Sequence, residues 1–192
     1  MPEKVIVQSK KRVFDGFFKI DRVEVLFEGY DQKMRGPVAR LVLERGDSVA
    51  ALILDRDRNE IILVEQFKYP TYEKGPGWII ETMAGIINSG ETPEDALRRE
   101  MREEVGYDTL EYEHIATFYP SGGGSSERVF LYYVEVGSAD RVGSGGGESA
   151  EDEDIREIRM SIEEFTEKLK RGTFVDGKIL AAGYWLIARK LT

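Results

Sequence analysis

The sequence predicts a mixed α/β fold that follows a small N-terminal β annex. Residues 4–45 alternate apolar and polar side chains in short runs, which is the pattern of half-buried strands. Beyond residue 45, strand-like runs are interspersed with segments in which apolar residues recur at helical spacing. Strands interspersed with helices are typical of mixed α/β domains. We therefore predict an annex over residues 1–45, the expected dimerisation region, and an α/β domain over residues 46–192.

The predicted strands are runs bounded by turn residues. The annex contains VIVQSKKRV, FFKIDRVEVLFEG and VARLVLERG, with turns at Gly29–Asp31 and at Gly36 before Pro37. In the second domain, two apolar strands flank the turn Asp55–Asn59, and WIIETMAGII follows the loop PTYEKGPG. YEHIATFY and RVFLYYVEV enclose the glycine loop PSGGGSSE, and IREIRM is the last strand.

Capping signals mark the helices. Thr92 is a predicted N-cap, Pro93 occupies the first helical position, and Asp95 completes a cap of the box type. Two further helices are predicted over residues 161–170 and 178–190.

Composition excludes several classes of function. The chain of 192 residues is 41% hydrophobic and 33% charged, which is typical of a soluble globular protein. A net charge of -9 without a cluster of Lys and Arg disfavours nucleic-acid binding. There are no cysteines, so disulfides, thiolate metal sites and cysteine nucleophiles are excluded. The apolar runs fall short of the ~18 residues that span a membrane, and no signal-peptide pattern is present. We expect a cytoplasmic protein without nucleic-acid or membrane partners.

One predicted helix carries three crowded glutamates, Glu100, Glu103 and Glu104. Like charges at this spacing repel by about 0.2–0.5 kcal/mol per pair. At about 100° per residue, the three carboxylates converge beside an apolar stripe between residues 97 and 105. Hard cations such as Mg²⁺ bind carboxylate oxygens and keep positions open for phosphates. On periodicity alone, a divalent metal site and a solvated acidic face are both open.

The wider spacing favours the metal site. The fixed positions are Gly85, Glu91, the run Arg99-Glu100-Met101-Arg102-Glu103-Glu104, Gly106 and Tyr107. This pattern resembles the Nudix box, with Tyr107 in place of the commoner aliphatic residue, a difference that we expect to be harmless. GFFKIDRVEVLFEG, ILVEQFKYPTY and WIIETMAG resemble the ADP-ribose pyrophosphatases, whereas FYPSGGGSSER and GGGESAEDEDIREI resemble these and the GDP-mannose pyrophosphatases. The resemblance implies a Nudix α/β/α sandwich with a mixed sheet, plus the N-terminal antiparallel β annex.

The resemblance also implies a metal site, filled by Mg²⁺ or alternatively Mn²⁺. The implied ligands are Glu100, Glu104, Glu103 and the backbone carbonyl of Ala84. Arg99 is expected to orient the glutamates, with Glu91 as its support.

An acidic loop is expected to supply the proton acceptor, because a carboxylate that binds a metal is a poor base. GESAEDEDI resembles the loop that carries a catalytic glutamate in the ADP-ribose pyrophosphatases. Aligned on its trailing EDI, Glu151 falls at the base position and Glu153 at a metal-assisting position. The two glutamates are hard to rank, and a flexible acidic linker is the alternative interpretation. With Glu103 and Arg99, they make up the predicted catalytic set.

Six residues are implied to contact substrate: Phe17, Arg40, Lys68, Glu81, Pro120 and Glu127. Phe17 and Arg40 match positions that clamp the base from a partner subunit, although a core or interface aromatic and a surface cation are the alternatives. Lys68 stands where these families usually carry Arg, so bidentate phosphate binding is lost. The strands of residues 4–45 are too few for an independent core, which predicts a homodimer.

The implied function is Mg²⁺-dependent hydrolysis of the diphosphate bond of a nucleoside diphosphate-sugar. ADP-ribose, which yields AMP and ribose 5-phosphate, is favoured because base contacts come from the annex and early strands. GDP-mannose, which yields GMP and mannose 1-phosphate, is the alternative. A non-catalytic ADP-ribose sensor is disfavoured because every box glutamate is present. The missing cysteine disfavours an isopentenyl diphosphate isomerase, and the annex disfavours a nucleoside triphosphate hydrolase.

Overall fold

The computed structural model describes residues 2–147 and 153–191, and it confirms the predicted α/β class. The chain divides into two compact units. Within the described residues, no helix is both long and apolar enough to cross a membrane.

The first unit comprises Met1–Asp47 and Tyr119–Arg128. Its antiparallel sheet has the order β1-β2-β3, and the strands are β1 (Val5–Asp15), β2 (Lys19–Glu28) and β3 (Met34–Glu44). The second segment joins β3 through Leu43, whose N–H donates to the carbonyl of Gly124 at 2.8 Å. In the described part of this unit, no apolar side chain is buried.

The second unit comprises Ser48–Phe118 and Val129–Thr192 and is built on a mixed sheet. Its strands are β4 (Ser48–Asp55), β5 (Glu60–Phe67), β6 (Trp78–Glu81), β7 (Met83–Ile86), β8 (Tyr112–Phe118), β9 (Val129–Val136) and β10 (Arg156–Ser161). The order is β10-β5-β4-β9-β8, with β6 on β5 and β7 on β4. β4 runs parallel to β9, and the other pairings among the described strands are antiparallel.

Helices cover both faces of this sheet. They are α2 (Pro93–Glu100), which continues as a π-helical turn (Met101–Val105), α3 (Ile162–Lys170) and α4 (Gly177–Leu191). A further short helix, α1 (Tyr69–Tyr72), has no buried residue. Because strand side chains alternate, Val49 of β4 packs on the face with α2, and Leu52 packs on the face with α3 and α4. The result is the α/β/α sandwich that the resemblance implied.

Three segments differ from the sequence prediction. Gly36 and Pro37 do not form a turn, because both lie within β3, opposite a register shift between Val25 and Phe27 of β2. WIIETMAGII is not one strand, because it divides at Thr82 into β6 and β7, which pair with different neighbours. The Thr82 N–H donates to Asp176 Oδ2 at 3.3 Å, so a distant side chain holds this N–H. The first residues of the loop PTYEKGPG belong to the short helix α1, which begins at Tyr69.

Candidate active site

The glutamate helix is fixed at both ends. Thr92 Oγ1 accepts from the N–H of Asp95 at 3.1 Å, and Asp95 Oδ2 accepts from the N–H of Thr92 at 3.3 Å, which confirms the predicted capping box. At the other end, Gly106 is left-handed with φ 71° and ψ 29°, and its N–H donates to the carbonyl of Met101. The last turn is π-helical, a rare form that is frequent at functional sites.

Arg99 is the centre of the ion-pair network beside this helix. Its guanidinium donates to Glu91 at 2.9 and 3.1 Å, to Glu100 at 2.7 Å and to Glu103 at 3.0 Å. It also donates to the carbonyl of Ile86 at the end of β7, at 2.9 Å. One cation therefore joins three carboxylates to the strand below them, which is the contact set that an orienting residue needs. The hydrogen bonds from Arg99 lower the pKa of Glu91 to about 2.

Glu100 lies directly over the backbone of β7. A Cβ placed on Gly85 would come within 1.8 Å of Glu100 Oε1, so only glycine leaves room for this carboxylate. Glu100 is 8% exposed, and burial raises its pKa even though Arg99 is close. The carbonyl of Ala84, the predicted backbone ligand, belongs to the residue that precedes Gly85 on the same strand.

Glu104 is the most deeply buried of the three glutamates. It is 5% exposed, and among the described residues its Oε2 has no hydrogen-bond partner. Burial raises the pKa of Glu104 well above its usual range, and the charges of Glu100, Glu153 and Glu81 raise it further. An unpartnered buried carboxylate is costly unless a positive charge compensates it.

The donor set fits a hard divalent cation in its chemistry. Within residues 2–147 and 153–191, no three acidic or histidine side chains already converge into a complete site. Glu100 and Glu103 each direct an oxygen to Arg99. Rotation of these side chains can bring the carboxylates together around a cation. The buried oxygen of Glu104 needs a positive partner in any arrangement of its neighbours, and this favours a cation site.

Two lysines flank the carboxylates through Glu81. Lys68 Nζ lies 3.3 Å from Glu81 Oε1, and Lys178 Nζ lies 3.3 Å from Glu81 Oε2. Lys178 also pairs with Asp176 at 2.8 Å, and Asp176 Oδ2 accepts from the N–H of Ile179 in the first turn of α4. Neither Lys178 nor Asp176 is predicted from the sequence as a site residue. The run Asp176-Gly177-Lys178 at the start of an apolar helix is a weak signal, because only the fold brings these side chains to Glu81.

The acidic loop reaches this cluster through Glu153. Its charge contributes to the raised pKa of both Glu100 and Glu104 after the larger effect of burial. A Cβ on Gly147, which has φ 83°, would lie 2.8 Å from Glu153 Cβ, so glycine permits the close approach. Glu151, the predicted base, lies outside the described residues.

The four remaining predicted substrate-binding residues belong to the first unit. Phe17 is 82% exposed, and Arg40 is also exposed and donates to the carbonyl of Ala39 at 2.9 Å. Pro120 is exposed, whereas Glu127 is 9% exposed. The structure thus places Lys68 and Glu81 in the unit that holds the glutamate helix and these four in the other.

Comparisons with known proteins show which family the chain resembles. A model of the NUDIX domain family matches residues 44–183. A GDP-mannose pyrophosphatase from Enterobacter sp. (strain 638) is 32% identical over 94% of this chain and 93% of its own length. An ADP-ribose pyrophosphatase from Escherichia coli (strain K12) is 31% identical over 95% of this chain and 87% of its own length. The crystal structure of an ADP compounds hydrolase superposes with a TM-score of 0.70 over 97% of this chain and 96% of that one, at 16% identity.

The last of these likenesses concerns the fold alone, because the identity is low. The family model covers most of the chain, including the whole glutamate helix, and both sequence relatives align over nearly their full length. The chain therefore belongs to the Nudix family.

Proposed function

We propose that this protein is a metal-dependent pyrophosphatase of nucleoside diphosphate-sugars, with ADP-ribose as the preferred substrate. The observation that carries the proposal is a buried oxygen of Glu104 that has no hydrogen-bond partner in residues 2–147 and 153–191. It lies on the helix where Arg99 holds Glu100 and Glu103. Names of relatives support the substrate class, since they include pyrophosphatases of ADP-ribose and of GDP-mannose.

The residues of the helix and of β7 would hold Mg²⁺, or alternatively Mn²⁺. The ligands proposed are Glu100, Glu104 and the carbonyl of Ala84, with Glu103 assisting. When bound, the cation neutralises the charge of the substrate diphosphate and polarises its P–O bond. Arg99 keeps the carboxylates in place, and the two lysines on Glu81 add positive charge beside them.

Hydrolysis also needs a group that accepts a proton from water. The oxygen of water forms a bond to one phosphorus, the bridging oxygen leaves with the other phosphate, and two phosphate monoesters result. Glu151 is the proposed base and Glu153 its assistant, because a base works best when no metal competes for its lone pairs. The charge of Glu153 raises the pKa of both Glu100 and Glu104, which supports an assisting role near the proposed ligands.

GDP-mannose is the second candidate substrate. The loop GGGESAEDEDI resembles the GDP-mannose enzymes at least as closely as the others, and relatives of both names match at similar identity. Purified protein should be assayed for release of nucleoside monophosphate from a panel of nucleotide-sugars with Mg²⁺. We expect kcat/KM to be highest for ADP-ribose. A tenfold preference for GDP-mannose, about 1.4 kcal/mol in transition-state binding, would reverse the order, and binding of ADP-ribose without AMP release would identify a sensor instead.

We also propose that two copies of the chain associate through the first unit. Its described residues bury no apolar side chain, and Val5, Ile6 and Val7 of β1 are 54–64% exposed. A three-stranded sheet without a covered apolar face is marginal alone, so a second copy supplies the cover. In this dimer, Phe17 and Arg40 reach the other copy's substrate.

Light scattering at assay concentration tests the association. We expect a dimer in the unaltered protein and monomers in Val7→Glu, which places a charge on the exposed strand. An active monomer would contradict the proposal. The cytoplasmic location, and the absence of nucleic-acid and membrane partners, stay predictions.

A further inference from the structure

Tyr107, the last residue of the box, contacts two arginines that lie outside the glutamate helix. Its side chain is 2% exposed and packs in the core beneath α2. Its hydroxyl accepts a hydrogen bond from Arg159 Nη2 at 2.7 Å. The guanidinium carbon of Arg141 lies 4.8 Å from the ring centroid, which is the geometry of a cation–π contact.

Glu157 joins the two arginines. Its Oε2 accepts from Arg141 at 3.0 Å, and its Oε1 accepts from Arg159 at 2.5 Å. Arg159 is held further by Asp55, which is 1% exposed and accepts from Arg159 Nη1 at 2.6 Å. We call Tyr107, Arg141, Glu157 and Arg159 the tyrosine clamp.

The tyrosine clamp holds the chain on both sides of the acidic loop. Arg141 precedes the glycine segment 143–147, whereas Glu157 and Arg159 stand on β10, a few residues after Glu153. Both flanks of the loop therefore meet at one aromatic side chain that is continuous with the glutamate helix.

The glycine segment is also bound to the end of that helix. The N–H of Gly146 donates to the carbonyl of Glu104 at 2.9 Å, and the N–H of Gly147 donates to the carbonyl of Glu103 at 3.0 Å. A Cβ on Gly145, which has φ 70°, would lie 2.5 Å from the carbonyl oxygen of Glu104. The loop thus starts in direct backbone contact with Glu103 and Glu104. The contact is too close to admit a side chain at Gly145.

We propose that Tyr107 is a positioning residue, which fixes both flanks of the acidic loop so that Glu153 faces Glu104. This inference rests on the proposed function in so far as Glu153 acts at the site. Misplacement by about 1 Å can reduce a rate about a hundredfold, so a modest loosening of the flanks lowers the rate without unfolding the protein. A tyrosine that only fills the core would affect stability and leave the rate per folded molecule unchanged.

Tyr107→Phe tests the hydroxyl, because it keeps the ring and removes the bond from Arg159. Tyr133→Phe is the matched control, since Tyr133 is 6% exposed and donates to Glu135 at 2.9 Å on the opposite face of the sheet. Arg141→Met removes the cation from the ring at a side chain that is 35% exposed, so the core stays intact.

Two measurements separate positioning from stability. For Tyr107→Phe and Arg141→Met we expect kcat to fall about tenfold, or about 1.4 kcal/mol, with KM changed less than about twofold. Amide hydrogen exchange at Gly146 and Gly147 should accelerate about tenfold because the flanks open more often. Tyr133→Phe should change neither quantity, even at an equal shift in Tm.

Unchanged exchange in both clamp variants would overturn the inference whatever their activity, since exchange requires no substrate. Faster exchange in the clamp variants with unchanged kcat would also overturn it. The tyrosine clamp would then anchor the loop, but the anchoring would have no effect on the reaction. By contrast, an unaltered protein that is inactive on every nucleotide-sugar would overturn the proposed function, and exchange would still decide the anchoring.

Discussion

Glu104→Gln should make the metal-free protein more stable and the enzyme nearly inactive. The side chain is 5% exposed, and Oε2 has no partner in the part of the chain that the structure describes. Burial raises the pKa of Glu104, and the charges of Glu100, Glu153 and Glu81 raise it further. A buried polar atom without a partner costs about 1–3 kcal/mol, and more when it is charged. Glutamine keeps the shape and removes the charge.

If about 1–3 kcal/mol is recovered, Tm should rise by about 2–4 °C per kcal/mol for a chain of this size. The rise should be measured by calorimetry in chelator, with Glu163→Gln as control, because Glu163 is exposed in the first turn of α3. Mg²⁺ at 100 times its Kd should then stabilise the unaltered protein by about 2.7 kcal/mol and have little effect on Glu104→Gln. Turnover should fall by several orders of magnitude. A variant that is less stable in chelator, or that keeps most of its activity, would refute the reasoning.

Three further changes test neighbouring parts of the site. Gly85→Ala should reduce kcat strongly with a modest loss of Tm, because the new Cβ would meet the Glu100 carboxylate at 1.8 Å; wild-type turnover would show that Glu100 has freedom to move. Glu91, whose pKa Arg99 lowers from 4.5 to about 2, contributes stability that is present above pH 4.5 and lost as pH falls towards about 2. Denaturation midpoints of Glu91→Gln should therefore show a shallower acid loss than the unaltered protein, and parallel curves would count against the ion pair. Glu151→Gln should lower kcat far more than KM, as expected for a base. An unchanged kcat would mean that Glu153 or a helix glutamate accepts the proton instead.

Local signals in the sequence were enough to predict the glutamate helix. The cap at Thr92 and the stop at Gly106 depend on residues only a few positions away, and both are confirmed. The contacts of Arg99 with Glu100 and Glu103 follow from helical spacing, because these residues are neighbours on the same helix. Spacing therefore placed the carboxylates side by side before any tertiary contact was known.

Features that depend on distant residues could not be read from the sequence. The division of WIIETMAGII involves Asp176, 94 positions from Thr82, which accepts the N–H at the break. The pair between Lys178 and Glu81 spans 97 positions. The sequence predicts that Tyr107 is a harmless difference from the family pattern. Its contacts with Arg141 and Arg159 could not be predicted, because only the packing of β10 and the glycine segment brings these arginines to it.

The most direct test of the central claim is AMP release from ADP-ribose by chelator-treated protein that is titrated with Mg²⁺. The account predicts no release in chelator and a saturable rise as Mg²⁺ is added, because Glu100 and Glu104 need a cation before they can act on a diphosphate. AMP release that persists undiminished in chelator would contradict the metal site. No nucleoside monophosphate from ADP-ribose, GDP-mannose or other nucleotide-sugars at saturating Mg²⁺ would contradict the function itself.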